Sequence, residues 1–235
     1  MDDEEIRRSA ELEQRHWWYA GRRALVRRTL AGTATGRALD VGCGPAGNSA
    51  VLRSLGWQVT ALDYAFDSAA LARSRGLNAT QGDARSLPFR PDTFDLVMSS
   101  DAWEHLDDDA AVAAESFRVL RPGGQLFVMV PAGMDLWSGH DIALGHVRRY
   151  ERDELIELVQ GAGFKVDQVA SWNVLLRPVA RARRKSREVS QSEMEPVHPV
   201  VNLALRSVVA IESVLPVGNR RGISLAIRAS KPEQR

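Results

Sequence analysis

The sequence predicts an α/β fold, a mostly parallel sheet covered by helices on both faces. Three observations predict it. From residue 37 onward, strand-like apolar runs alternate with helical segments. Those runs are near-continuously apolar, as strands buried on both faces are. The first of them, Arg37 to Val41, runs straight into Gly42-Cys43-Gly44-Pro45-Ala46-Gly47, whose glycines stand at G-x-G-x-x-G spacing before a helical segment from Ser49 to Leu55. A turn of this kind brings a ligand against bare backbone N–H groups at a helix N-terminus.

Each element has its own signal. Residues 4 to about 31 read as helical and carry His16-Trp17-Trp18-Tyr19 followed by Gly21-Arg22-Arg23. Adjacent large aromatics cannot share one helix face. The segment is therefore either a helix packed across the sheet with two rings buried, or a flap over a ligand, with Trp18 facing it and Arg22 or Arg23 available to a carboxylate or phosphate. Gln58 to Leu62 is the second strand, ending at Asp63, and a helix capped by Asp67 or Ser68 runs to Arg75 with Gly76 as its stop. Leu77 to Thr80 is a short third strand leading to Gly82-Asp83-Ala84, and Thr93 to Met98 is the fourth. A helix from about Asp108 to Leu120 stops at Pro122-Gly123-Gly124, and Gln125 to Val130 is a strongly apolar fifth strand. Met134 to Tyr150 reads as a loop too polar to be core. A helix from Asp153 to Gln160, a strand from Phe164 to Trp172 and a last strand from Ile223 to Ala229 follow.

The totals bound the function. With 235 residues, 44% hydrophobic and 26% charged, the chain is long enough for one well-buried core. A formal net charge of +1 gives no support for a nucleic-acid binder. The single cysteine, Cys43, excludes an intramolecular disulfide, fits a reducing compartment and reads as small filler in the turn. The acidic start Met1-Asp2-Asp3-Glu4-Glu5 is unlike a signal peptide, so a cytoplasmic place is expected. Val200 to Leu215 is broken by Asn202, Arg206 and Glu212, short of the roughly 18 apolar residues of a membrane span.

Asp63 lies 21 residues beyond Gly42, where an acid at a strand tip accepts hydrogen bonds from ribose hydroxyls. That spacing suits NAD and S-adenosylmethionine equally. Asp83 supplies a carboxylate after the third strand, where an adenine amino group could donate. Leu87-Pro88-Phe89, then Phe94-Asp95-Leu96-Val97, then Leu120-Arg121-Pro122-Gly123-Gly124 closely resemble the signature of class I S-adenosylmethionine-dependent methyltransferases, the type 11 group in particular. His16-Trp17-Trp18 with Arg22-Arg23, and Gly145 to Tyr150 ahead of Glu154-Leu155, resemble a subgroup of that family.

The resemblance implies a Rossmann-like seven-stranded methyltransferase fold with an antiparallel last strand. Within one domain it implies an N-terminal helical flap (1–31), a cofactor-binding core (37–172), a helical lid insertion (173–221) and the last strand (222–229). It implies that Asp40, Gly42 and Gly44 lie around the methionine moiety, that Asp63 holds the ribose and Asp83 with Ala84 the adenine, and that Ser99 sits beneath the sulfonium. The implied reaction is methyl transfer to an oxygen, less readily a nitrogen, of a small molecule. A NAD-dependent oxidoreductase is the rival, but it would want a Tyr/Lys or Cys/His pair near the fifth strand, which the sequence lacks. A non-catalytic binding protein of the same fold, docking through 173–221, is the other.

Three histidines are candidate bases. His140 ranks first, because Asp141 or Asp101 could fix its tautomer; His146 shares its loop, and His105 follows the fourth strand, where a structural role at a helix start is the alternative. Arg148, Arg149 and Tyr150 either anchor an anionic substrate group or engage Glu151 and Glu154. Asp101, His140, Asp141 and His146 show no tight metal-ligand spacing, and no metal is expected. The insertion carries Arg177, Arg181, Arg183, Arg184, Lys185 and Arg187 with no acid until Glu188, then an amphipathic helix in which Asn202, Arg206 and Ser213 share a polar face. A basic run of this kind is a solvated face or docks on phosphate or anionic lipid. The whole insertion suggests a lid, with peripheral membrane contact for a lipid-like or glycosylated acceptor as its variant.

Overall fold

In the computed structural model, which describes residues 10–186 and 196–233, the N-terminal helical stretch divides at His16. Residues 10–15 are helical, and Trp17–Leu30 form α1. His16 has extended backbone (φ −74°, ψ 136°), and its imidazole accepts from the Trp18 N–H, so it caps α1 instead of continuing one helix. Residues 4–9 of the expected helix, and Arg187 and Glu188 further on, lie outside the described residues.

The alternating core follows in order: β1 (Arg37–Val41), α2 (Gly47–Ser54), β2 (Gln58–Asp63), α3 (Phe66–Ser74), β3 (Asn78–Gln81), β4 (Phe94–Ser100), α4 (Asp109–Val119) and β5 (Leu120–Pro131). Then come α5 (Gly139–Ala143), α6 (Arg152–Gly161), β6 (Lys165–Trp172), α7 (Arg177–Ser186), α8 (Pro199–Glu212) and β7 (Ser224–Ser230). The sheet has seven strands in the order β3-β2-β1-β4-β5-β7-β6. All neighbours are parallel except β7, which runs antiparallel to both β5 and β6. This is the topology the resemblance implies.

Period-two alternation sends side chains to opposite faces. Leu39, Val97, Leu126 and Val128 pack into one core with Val112, Leu155 and Val159 of α4 and α6. Ala38, Leu96, Met98 and Phe127 pack into the other with Leu25, Val26 and Leu30 of α1 and Val51 and Leu52 of α2. Continuous apolar strands are thus satisfied on both sides, and the ends of β1, β2 and β4 are left to build a site.

Two expectations are corrected. The stretch from Met134 to Tyr150 is no open loop: it holds a 3-10 turn (Met134–Leu136) and α5, and Leu136, Asp141, Arg149 and Tyr150 are buried. Its polarity is internal, because the charged groups satisfy one another. The polar face of α8 that carries Asn202 and Arg206 is turned toward the end of residues 10–15. Asn202 accepts from the Trp17 N–H (2.7 Å), and Asn202 and Arg206 both donate to the Arg15 carbonyl (2.9 and 2.8 Å). Val200, Leu203, Ile211 and Val214 are left exposed. Nor is the basic run wholly solvated: Arg177 is buried, donating to the Gly222 carbonyl (2.5 Å) and Asp135 (2.6 Å). Among the described residues, no helix is long and apolar enough to cross a membrane.

Candidate functional site

A cavity of about 470 Å³ opens at the carboxyl ends of β1, β2, β4 and β5, the crevice where open α/β sheets bind ligands. Its first half is the glycine turn. Gly42 has φ +73°, and a Cβ there would lie 2.5 Å from the Ala102 Cβ, so only glycine lets the segment after β4 close over the turn. Gly44 has φ +49°, and a Cβ there would meet nothing within 4 Å, so its backbone faces open space. Asp63, at the tip of β2, accepts from the N–H groups of Gly44 (2.8 Å) and Ala65 (2.9 Å). Burial raises its carboxyl above the usual range, and those two N–H donors oppose the shift.

Asp40, fully buried on β1, accepts from the Ser49 hydroxyl of α2 (2.5 Å). Burial pushes its carboxyl up to about 7 against that hydrogen bond, with the charges of Asp63 and Glu13 adding to the rise. Glu13, from residues 10–15, lies over Gly47 and pairs with Arg75 (2.8 Å), holding the N-terminal segment on the turn. Asp83 lines the far side beside Ala84; its hydrogen bonds from Arg85 hold its carboxyl below the ordinary value.

The other half of the cavity is built from α1, the turn after β4 and the segment around α5. Arg22 is 2% exposed, and its guanidinium lies against the edge-to-face pair of Trp18 (4.8 Å) and Trp172 (4.6 Å), whose ring centroids are 4.9 Å apart. It pairs with Asp101 and donates to the Ser224 hydroxyl (3.1 Å), while its Nε and Nη1 have no hydrogen-bond partner. Asp101 holds φ +54°, the left-handed region a non-glycine residue rarely takes, which aims its carboxylate at this arginine.

Beyond Asp101, Glu104, His105 and His146 converge. Glu104 is 0% exposed, and neither carboxylate oxygen has a hydrogen-bond partner. Burial, reinforced by the charge of Asp101, raises its carboxyl well above the usual range. His146 Nδ1 lies 2.9 Å from Asp141 Oδ1, and its Nε2 lies 3.9 Å from Glu104 Oε1. Asp141 also accepts from Arg149 Nε (2.7 Å) and the Ser138 N–H (2.9 Å). Burial works to raise the Asp141 carboxyl, but the hydrogen bond from His146 and the charge of Arg149 bring it down to about 2. An ionised carboxylate only accepts, so the His146 proton sits on Nδ1 and its Nε2 lone pair faces Glu104. His105 Nδ1 lies 3.3 Å from the Gly145 carbonyl, an acceptor as well, which assigns its proton in the same way. Burial, then the neighbouring His146, lowers the His105 imidazole.

Most of the residues singled out in the sequence meet at this cavity. Asp40, Gly42, Gly44, Asp63, Asp83, Ala84, Trp18, Arg22, His105, His140, His146 and Arg149 all line it. Ser99 does not: its hydroxyl donates to the Val41 carbonyl (2.8 Å) between β1 and β4, and Ser100 and Asp101 form the wall instead. Arg148 (2.6 Å) and the Tyr150 hydroxyl (2.8 Å) both donate to Asp109 on α4, away from the cavity and from Glu151 and Glu154. The carboxylates expected to orient His140 are engaged elsewhere, Asp141 by His146 and Arg149 and Asp101 by Arg22. Sequence reading missed Glu104 as a site residue, although the Glu-His pair was visible. It also missed Glu13, Trp172 and Arg184, which only tertiary packing brings here.

The fold and this cavity define a cofactor-binding α/β protein. Residues 39–128 match the family of the methyltransferase domain, type 11. A relative from Mycolicibacterium smegmatis named "Probable S-adenosylmethionine-dependent methyltransferase" is 33% identical over 163 residues, 66% of this chain and 62% of the relative. The ubiquinone biosynthesis O-methyltransferase of Xanthomonas oryzae is 38% identical over 110 residues, 44% of this chain and 45% of that one. The solved complex between the Haloferax volcanii Trm112 methyltransferase activator and a methyltransferase contains a chain with TM-score 0.68 and 20% identity. That match covers 99% of this chain and 96% of the other, and shows likeness of fold. The chain spans less than two thirds of the length of the curated relatives it matches. Residues 39–128 thus carry the methyltransferase domain of the type 11 family, and the relatives that match over this region are named S-adenosylmethionine-dependent methyltransferases.

Proposed function

We propose that this protein transfers a methyl group from S-adenosylmethionine to an oxygen of a small-molecule acceptor. The observation that carries the reading is one continuous cavity joining the glycine turn, Asp63 and Asp83 to a wall of two imidazoles and a carboxylate. When bound, the cofactor supplies a methyl group already activated on a sulfonium. Asp40, Gly42 and Gly44 would surround its methionine portion, Asp63 its ribose hydroxyls, and Asp83 with Ala84 its adenine. The donor half fits: Gly44 opens onto free space, and Asp63 needs only to exchange or share its two backbone N–H partners.

The remaining task is to hold an acceptor lone pair in line with the C–S bond and exclude water. Positioning of that kind supplies about 7–11 kcal/mol of barrier reduction. Trp18 and Trp103 give apolar walls, and the wall of His105, His140 and His146 receives the acceptor oxygen. An amine lone pair attacks unaided, whereas a hydroxyl must lose a proton, so a wall offering lone pairs favours oxygen. Arg22, a buried cation among the residues lining the cavity, suits an anionic group on the acceptor. Arg184, the insertion's contribution to the lining, makes α7 the part of 173–221 that acts as a lid.

Calorimetry with S-adenosylhomocysteine tests this. Wild type binds it and Asp63→Ala weakens it, whereas His146→Ala binds it normally and no longer transfers a deuterated methyl into a cell extract. Absence of binding to wild type at millimolar ligand overturns the reading.

A second reading, a lipid-like acceptor drawn from a membrane surface, is favoured by the exposed apolar face of α8, where Val200 is 69% and Leu203 65% exposed, together with the basic α7. Co-sedimentation with anionic vesicles but not neutral ones is its expected outcome; no co-sedimentation with either removes it.

A further inference from the structure

We infer that Glu104, His105 and His146 form a binding site for a divalent transition cation of the zinc, cobalt and iron(II) class, at the acceptor end of the cavity. Their ligand atoms lie within 4.8 Å of one another. A tetrahedral site with bonds near 2.0–2.1 Å places its ligands about 3.3 Å apart, so closure needs side-chain shifts of about an ångström. Glu104 is free to make its share, since neither of its oxygens is engaged.

Each imidazole is already prepared. His146 gives its Nδ1 proton to Asp141 and His105 gives its own to the Gly145 carbonyl, which leaves both Nε2 lone pairs for a cation. A ring nitrogen held by a carboxylate or carbonyl is the usual support behind a metal-bound histidine. Asp141 is itself fixed by Arg149 and the α5 N-terminus, so the support is rigid. The buried Glu104 carboxylate has no hydrogen-bond partner among the described residues and faces two imidazoles, and a cation would satisfy all three groups at once. Two imidazoles and one carboxylate favour a borderline cation over magnesium or calcium, which prefer oxygen. Three protein ligands leave a fourth position open toward the cavity.

The site deepens the methyl-transfer reading and rests on it for its chemical role, although not for cation binding. When bound, such a cation acts as a Lewis acid on an acceptor hydroxyl. The O–H proton leaves to solvent, the oxygen pair forms the bond to the methyl carbon, and the C–S pair returns to sulfur.

The test is titration of the full chain, stripped with chelator, with Co²⁺ followed by visible d–d absorption. Wild type and His198→Ala are expected to bind one equivalent. Glu104→Gln and His146→Ala are expected to lose it, and Asp141→Asn to weaken it about 10–100-fold. Calorimetric S-adenosylhomocysteine binding confirms that each variant is folded. No saturable Co²⁺ binding to wild type, or binding unchanged in both Glu104→Gln and His146→Ala, overturns the inference. Cofactor binding without Co²⁺ binding removes the cation site and leaves the methyl-transfer reading standing. Co²⁺ binding without cofactor binding does the reverse.

Discussion

The two halves of the cavity are built in different ways. The donor half is local: Asp40, Gly42, Gly44 and Asp63 come from two adjacent strands and the turn between them, and Asp63 is tied to the turn by one N–H bond to Gly44. The acceptor half is assembled from distant segments, with Arg22 from α1, Asp101 and Glu104 after β4, His146 and Asp141 around α5, and Trp172 from β6. The proposed donor contacts therefore need only β1 to β3 and the turns that follow them, whereas acceptor contacts need the whole fold. That is the arrangement expected where one cofactor serves many substrates.

The contrast can be broken by variants that should act on one half alone. The largest effect is expected at Asp63→Ala. It would remove the two charge-assisted hydrogen bonds proposed for the ribose, each worth about 1.5–3 kcal/mol, so S-adenosylhomocysteine affinity is expected to fall at least about a hundredfold. Co²⁺ binding should not change, and a parallel loss there would show that the halves are coupled.

Next in size is the pH dependence of stability set by Asp40. Its carboxyl sits near 7 in the folded protein against 3.8 ordinarily, so the fold keeps a proton the unfolded chain has shed. Stability from this group is therefore full below about pH 4 and is lost as pH rises to about 7, at about 1.4 kcal/mol per pH unit. Urea unfolding of the cofactor-free protein across that window should show the slope, and Asp40→Asn should flatten it.

A smaller effect is expected at Arg22→Lys, which keeps the charge but loses the planar guanidinium that lies against both Trp18 and Trp172. A cost of about 0.5–2 kcal/mol should appear as a lower Tm, with cofactor affinity unchanged. Smallest is Leu203→Ser on the outer face of α8, expected within about 0.5 kcal/mol of wild type in chemical unfolding. A large loss there would mean that this exposed face is covered in solution.

Much of the fold was legible because strands buried on both faces announce themselves by continuous apolar runs. Val97-Met98 and Leu126 to Val130 alternate between the two cores without any polar position. Element ends were legible to within a few residues, as at β3 and α4. The interior of residues 134–150 was not, because a buried polar network has the composition of a loop. Asp141, Arg149 and His146 look solvated until their partners are known. The partner of the polar face on α8 was not legible for a related reason: Asn202 and Arg206 bond the Arg15 carbonyl at the end of residues 10–15, nearly 190 positions away.

By itself, the sequence determined the alternating strands and helices of the sheet, and it set a glycine turn ahead of an acid at the next strand tip, because these are neighbours along the chain and need only local geometry. What the tertiary structure alone decided is the acceptor wall. Whether Asp141 serves His140 or His146, whether Arg22 lies against Trp18 and Trp172, and whether Glu104 meets two imidazoles depend on contacts between side chains far apart in sequence. Burial turns those contacts into electrostatics strong enough to set which nitrogen carries the proton.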